Sequence, residues 1–497
     1  MESIETDRIP DFLKVVEQAA FSFKSLVEQI KSKEDTHTPI IRLINHFDAD
    51  GICSGGILSR ALYREGLLFR TTTLSNLELE DVKHIKEEKN WDILILADLG
   101  SSKAKQIQEL ITRPVIILDH HNPEITENTE SFYQVNPHLH GIDGSIAVSG
   151  AGVSYLFSKA LSPANVDLSI FAVVGSLGDR QDKAESGRLD QINALIVEDA
   201  KRKNLLSDEE DLWFYGHETR DLVHALLGLN IRGLDRRQRV INFLDMIQIP
   251  TMEGKRSRTL ADLSRGEKTQ LFSELIKKYD IKPEGVFKPV YKLLQEPERT
   301  FLRDGKEFAS ALNSAGRLGK ANVGIALIMG DRKKALDEAI ALRDEYRKRI
   351  SDYLKWCNEQ GKDKIIELQW IKSLNAGQHI DKEMIGTIIS ILSSGKNDFW
   401  TNKILSGVSG NPDVGYKISI RIPARLQNQD SWKAIDLPSI LAGSDIDKIE
   451  NSDIGGHSAA AGAILPPGNH NINMLMGNLN QLIEKNITNS TDSEQVK

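Results

Sequence analysis

Cysteine is nearly missing from this chain. Only Cys53 and Cys357 occur in 497 residues, far apart and in no metal-binding or redox spacing. This excludes a disulfide framework or a thiolate metal cage and fits free thiols in a reducing cytoplasm. No apolar run approaches the roughly 18–20 residues of a membrane span. The opening MESIETDRIPDFLK lacks the pattern of a signal or transit peptide, so no membrane association is expected. Positive charge is not in excess: 63 Lys and Arg stand against 71 Asp and Glu, a net −8. A generally basic nucleic-acid coat is therefore excluded, and any such contact needs local basic patches or metal ions that neutralise phosphate. The six tryptophans are scattered, with no aromatic ladder for stacking bases. What remains, 40% apolar and 27% charged, is an ordinary globular composition with room for two or three domains.

The richest stretch is Ile40 to Gly56, IIRLINHFDADGICSGG. Its apolar start reads as a buried strand over 40–46. His46, Asp48 and Asp50 follow at intervals of two, which in extended chain sends all three side chains to one side. A helix at about 53–66 follows, ended by Gly66. Two further apolar runs, Ile93–Ala97 and Val115–Leu118, end in Asp98 and in Asp119-His120-His121. Strands alternating with helices at this pitch predict a parallel sheet with crossover helices, whose ligands bind beyond the carboxyl ends of the strands. A fourth acid, Asp179, ends the apolar run Leu168–Leu177.

Residues 1–36 read as a helical extension. Residues 185–300 read as a mostly helical, charged insert, in which Arg232, Arg236, Arg237, Arg239, Lys255, Arg256 and Arg258 form either a solvated face or a phosphate-contacting one. A long helix over about 331–360, roughly 45 Å, joins this domain to a smaller α/β domain at 361–486. There Lys364–Trp370, Trp400–Ser409 and Gly415–Ile422 read as strands, and 454–465 as a glycine- and alanine-rich turn. The polar residues 487–497 are expected to be disordered. Ser149-Gly-Ala-Gly reads as a close-packed helix start, and Gly175, Ser176 and Gly178 as passage for the chain beside the acids. His138 and His140 read as loop residues, His217 and His224 as surface or partly packed ones.

His46, Asp48, Asp50, Asp98, Asp119, His120, His121 and Asp179 make a carboxylate and imidazole set without thiolates. Such a set suits Mn²⁺ or Mg²⁺ better than Zn²⁺. It is too large for one ion, and two ions bridged by a carboxylate form a site for in-line hydrolysis of phosphate esters.

HFDADG, ADLG, LDHH and the later Gly-Asp together resemble the DHH phosphoesterase superfamily. NSAGRLG, the long connecting helix and the terminal GGHSAAAGA extend the resemblance over most of residues 38–468. Within the superfamily the chain looks most like RecJ-type single-strand exonucleases, and VNPHLHGIDG with SGAG points to the archaeal RecJ-like and GINS-associated branch. The resemblance implies a parallel-sheet DHH catalytic domain over 37–330, a connecting helix, and a DHH-associated substrate-binding domain. It implies two Mn²⁺ or Mg²⁺ ions: His46 and Asp48 hold the first, Asp50, His120 and Asp179 the second, and Asp98 bridges. Asp119 and His121 then orient His120 or touch the scissile phosphate. Arg317 is expected near substrate phosphate, with Arg421, Gly455, Gly456 and His457 binding the strand in a cleft between the domains. Asp98, Asp119, His121 and Arg317 form the expected catalytic set.

The implied activity is hydrolysis of single-stranded nucleic acid from an end, 5′ to 3′ on DNA, in replication or repair. Two alternatives stand beside it. One is hydrolysis of nano-oligonucleotides or cyclic dinucleotides, suggested by the acidic net charge and by the expectation that no OB-fold follows the second domain. The other is a replisome component that binds GINS and the replicative helicase complex and whose nuclease is incidental. That every ligand position is filled argues against a scaffold that has lost its metals.

Overall fold

The computed structural model describes residues 8–494 apart from 34–37, 185, 230, 280, 282–285, 396, 428, 430–431, 433–434, 447 and 450–451. Two units divide the chain, Met1–Arg343 and Asp344–Lys497.

The first unit is built on Ile40–His46 (β1), Leu68–Leu74 (β2), Ile93–Ala97 (β3), Val115–Leu118 (β4) and Phe132–Val135 (β5). They form one parallel sheet in the order β2-β1-β3-β4-β5. Every residue of β3 and β4 is buried, as expected where helices cover both faces. Alternation then splits the strands between two cores: Ile41, Leu43, Ile93, Ile95 and Ile116 face one side, and Ile44, Leu94, Leu96 and Ile117 the other. The bounds of β1, β3 and β4 are those read from sequence. β2 and β5, at the two edges, were not anticipated.

The helix Ala49–Arg64 leaves the tip of β1 almost at once, with Asp48 as its N-cap accepting from Gly51 N at 3.0 Å. The strand thus ends at His46, and Asp50 lies in the first helical turn. Convergence of the acids therefore comes from a strand-to-helix turn and not from extended-chain alternation, a correction to the sequence reading. The helix Ile9–Lys33 buries Phe12, Val16, Ala19, Phe23 and Val27 at helical spacing. Phe23 meets Phe157 edge-on at 5.8 Å. The helices Gly150–Leu161 and Ser169–Gly178 complete the layer over this face.

The insert is less helical than expected. Beside the helices Leu222–Leu227, Arg237–Met246 and Arg265–Tyr279 it carries short strands Leu206–Ser207 (β6), Glu210–Leu212 (β7), Met252–Glu253 (β8), Arg256–Ser257 (β9), Phe287–Pro289 (β10) and Lys292–Leu293 (β11). They pair as antiparallel ribbons β6–β11, β7–β10 and β8–β9. A separate core around Leu212, Leu226, Phe243, Leu260 and Leu271 holds the insert together. His217, expected at or near the surface, is buried at 1% exposure against Asp211 and Glu218, whereas His224 is exposed beside Asp221.

The second unit carries a six-stranded sheet of Ile365–Glu367 (β12), Ile371–Gly377 (β13), Ile404–Asn411 (β14), Gly415–Arg421 (β15), Asp453–His457 (β16) and Ala460–Leu465 (β17), in the order β12-β13-β14-β15-β17-β16. Only β13 and β14 run parallel within it. Three local readings are corrected here. Lys364–Trp370 gives way to β12 and β13, Trp400 belongs to the helix Asp398–Thr401, and the turn at 454–465 is the β16–β17 hairpin. The boundary between units falls inside the helix Lys334–Asn358. The last helix, Ile472–Glu494, runs through most of the tail expected to be disordered; 495–497 lie outside the described residues. The fold is α/β, and no helix among the described residues is long and apolar enough to cross a membrane.

Candidate metal centre

All the strand-end acids and imidazoles of the first unit meet at the carboxyl edge of the parallel sheet. His46 Nδ1 lies 3.1 Å from Asp48 Oδ1 and 3.6 Å from Asp98 Oδ2. His120 Nε2 lies 3.3 Å from Asp98 Oδ1, 3.6 Å from Asp50 Oδ2 and 4.0 Å from Asp179 Oδ2. His46, Asp48 and Asp98 each offer a ligand atom within 4.8 Å of the others, and so do Asp98, His120 and His121. Asp98 belongs to both groups. It sits in the left-handed region, φ 60°, one residue past β3. This conformation is uncommon outside glycine and enriched at functional positions.

The packing explains how so many charges are held. Gly150 and Ala151, at the start of a helix, donate their N–H groups to Asp50 at 2.7 and 3.0 Å, where the positive helix end favours a carboxylate. A Cβ on Gly150 would stand 2.4 Å from Asp98 Oδ1. One on Gly175 would stand 2.6 Å from Asp50 Oδ1 and 2.4 Å from the Ala151 Cβ. Both glycines are therefore required by close approach to the acids. Asp119 accepts from the N–H groups of Ser101 and His120 and bonds His121 Nδ1 at 2.8 Å, so it orients the neighbouring imidazoles. Gln181 donates to both Gly144 O and Asp179 Oδ2 at 2.9 Å. Asn313, in NSAGR, accepts from Ala49 N at 3.0 Å. Gly150, Gln181 and Asn313 were not read as site residues. Only the small-residue run around Gly150 carried a hint.

The tautomer of His120 follows from its partner. Nδ1 is 2.8 Å from Gly144 O, which can only accept, so Nδ1 carries hydrogen, and in the neutral ring Nε2 presents a lone pair toward the acids. There it faces Asp98 Oδ1, a buried oxygen without a hydrogen-bond partner; His46 Nδ1 is likewise buried and unbonded. Acceptors facing acceptors require a proton or a cation between them. The electrostatics agree. Burial alone would lower His46 and His120, but the Asp48, Asp98 and Asp179 carboxylates outweigh it and hold both well above the ordinary histidine value. Burial, with repulsion from Asp98, raises Asp50 and Asp179. Against burial, the nearby His120 and His46 imidazoles keep Asp98 low, and His121 keeps Asp119 low. The donor set fits a hard or borderline divalent ion.

The sequence of residues 40–172 matches the DHH family, N-terminal domain. An uncharacterised protein of Methanocaldococcus jannaschii is 30% identical over 466 residues, covering 89% of this chain and 93% of its own. The chain belongs to the DHH family. The DHH protein also shares its fold with solved structures. A RecJ from Thermus thermophilus in complex with Mn²⁺ matches with a TM-score of 0.55 at 17% identity, over 95% of this chain; the DHH protein spans 55% of that longer chain. An exonuclease RecJ bound to manganese gives 0.53 at 18% over 95% and 94% of the two chains. CDC45 from Entamoeba histolytica gives 0.60 at 13% over 94% and 99%. The DHH protein thus shares its fold with RecJ and CDC45.

The other expected residues lie elsewhere in the two units. Arg317 ends the helix Gly305–Arg317, its guanidinium 5.7 Å from the ring centre of Phe47, the residue that follows His46. In the second unit Arg421 Nη1 donates to Ile420 O and Ala461 O. Gly455, Gly456 and His457 form β16, with Gly456 at φ 132°. Of the basic insert residues, Arg258 is buried in a two-bond pair with Glu267, and Arg256 is paired with Asp262. Arg232, Arg236, Arg237 and Arg239 are exposed.

Proposed function

We propose that the DHH protein is a metal-dependent phosphodiesterase that degrades single-stranded nucleic acid from an end, 5′ to 3′ on DNA, with two Mn²⁺ or Mg²⁺ ions. The observation that carries this reading is the shared position of Asp98 between His46 with Asp48 and His120 with His121. In this proposal His46, Asp48 and Asp98 hold one ion, and Asp98, Asp50, His120 and Asp179 the other. Divalent ions there lower the pKa of bound water and offset charge on the phosphoryl oxygens. The chain's own residues do the rest. Asp119 fixes His121, half-exposed at the mouth of the site, to meet the scissile phosphate. Arg317 binds a neighbouring phosphate, and Arg421, Gly455, Gly456 and His457 bind the strand from the second domain. The catalytic domain is assigned to 37–330, the connecting helix to 331–360 and the substrate-binding domain to 361–486.

A manganese-supplemented digest of 5′- and 3′-labelled DNA and RNA oligomers tests this directly. Stepwise loss of nucleotides from the 5′ end of DNA is expected. Products only from dinucleotides would move the assignment to short-substrate hydrolysis. A second reading has its own support: the insert has a core of its own and exposes Tyr215, Met246, Met252 and Phe287, apolar side chains that a partner would cover. Co-purification with GINS or helicase subunits would favour it.

A further inference from the structure

A cavity of about 100 Å³, open at Tyr215, lies between the insert and the start of the helix Gly305–Arg317. Trp213, Tyr215, Val290 and Tyr291 give it largely apolar walls, and His217, Asp304 and Lys306 supply its polar groups. Three independent features distinguish it from a packing defect. His217 is buried, bonds Asp211 through Nε2 at 3.1 Å, and its Nδ1, 3.8 Å from Glu218 Oε1, has no hydrogen-bond partner. Protonated, this nitrogen faces the Glu218 carboxylate; neutral, it is a buried acceptor open to a donor on a ligand. Two cations attend the same aromatic wall: Lys306 Nζ is 3.9 Å and Lys288 Nζ 5.0 Å from the centre of a Trp213 ring. The cavity is also tied to the metal centre at two points. Lys306 pairs with Asp182, which is three residues past Asp179 and so at most about 11 Å of chain away. Asp304 caps the helix that ends at Arg317 beside Phe47.

We propose that this cavity takes one nucleobase of the strand held at the metal centre, a few nucleotides from the scissile phosphate. The aromatic walls accept the ring faces, His217 Nδ1 meets a polar atom on the ring edge, and Lys288 engages the flanking phosphate. This rests on the single-strand reading above and adds a base subsite to it.

The test uses the full chain and short labelled oligothymidylates, each with one abasic position stepped inward from the cleaved end. Binding is read by fluorescence anisotropy and cleavage by gel. One abasic position is expected to weaken binding about tenfold and raise KM similarly while leaving kcat unchanged. In Val290→Trp, which fills the cavity, and in Tyr215→Ala, at the 40%-exposed rim, the intact strand should bind as weakly as that abasic strand, with no further loss when the two changes are combined. Binding and KM that ignore every abasic position, with cleavage intact, would overturn the base subsite alone. A position-specific binding loss without any cleavage would overturn the exonuclease reading and leave the subsite standing.

Discussion

At the residue scale, Asp98 is held in an unfavourable backbone conformation beside two imidazoles and leaves a buried oxygen unbonded. Asn tolerates the same backbone region. Asp98→Asn is therefore expected to fold, with a melting temperature in chelator within about 3 °C of the parent, and to lose at least about a hundredfold of manganese-dependent turnover. Retention of normal turnover would remove the bridging assignment. The histidines also set a pH dependence. His46 and His120 sit above their ordinary value in the folded chain, so their stabilising protonation is complete below about 6.5 and is lost as pH rises through the folded values. Asp48 and Asp119 are held low and act only in the acid range, so they do not offset this loss. In chelator the melting temperature should fall as pH is raised from about 6.5. The gain on adding Mn²⁺ should grow over the same interval, because the ion needs neutral imidazoles. Calorimetry at a series of pH values decides this; a metal-free melting temperature that is flat or rising would contradict it.

At the element scale, what the sequence made legible follows from burial. β3 and β4 lie at the centre of the sheet with helices on both faces, so every residue is apolar and the strands read as unbroken runs. β2 (LFRTTTL) and β5 (FYQV) are edge strands with one strand neighbour each, and their threonines and glutamine hid them. The acids were legible because each ends an apolar run. Their mutual geometry was not, since Asp50 and Asp179 are placed by helix ends. Nor was the support from Gln181 and Asn313, which depends on contacts distant in sequence. The tight seat of the Gly150–Leu161 helix yields its own prediction. Gly150→Ala puts a methyl 2.4 Å from Asp98 Oδ1. It should cost about 1–3 kcal/mol by overpacking and weaken Mn²⁺ binding about tenfold or more. Gly477→Ala, on a helix with open space around the added methyl, should instead stabilise by about 0.5–1 kcal/mol. Denaturant melts and metal titrations of both variants separate the helix seat from a general glycine effect.

At the scale of the whole molecule, a net charge of −8 has to be reconciled with the polyanionic substrate proposed above. Metal ions held at the proposed centre would cancel much of the local acid, but would neutralise phosphate only at the scissile position. Beyond that position the first unit has Arg317 at the end of its helix and Lys288 beside the cavity, while Lys306 is paired with Asp182. Much of its remaining cationic surface is committed internally: Arg256 to Asp262, Arg258 to Glu267, Arg64 to Asp167. About two phosphate contacts release about two counterions' worth of screening, which for a single strand gives a slope of roughly −1.4 in log affinity against log salt. Anisotropy titrations of a labelled oligothymidylate across salt concentrations, with Mn²⁺ held constant, measure that slope. Replacing Lys288 by Ala should make it shallower by about 0.7 and weaken binding evenly across sequences. A slope near −4 would mean that the exposed arginines Arg232, Arg236, Arg237 and Arg239 also carry the strand, and the insert would then be the principal binding surface.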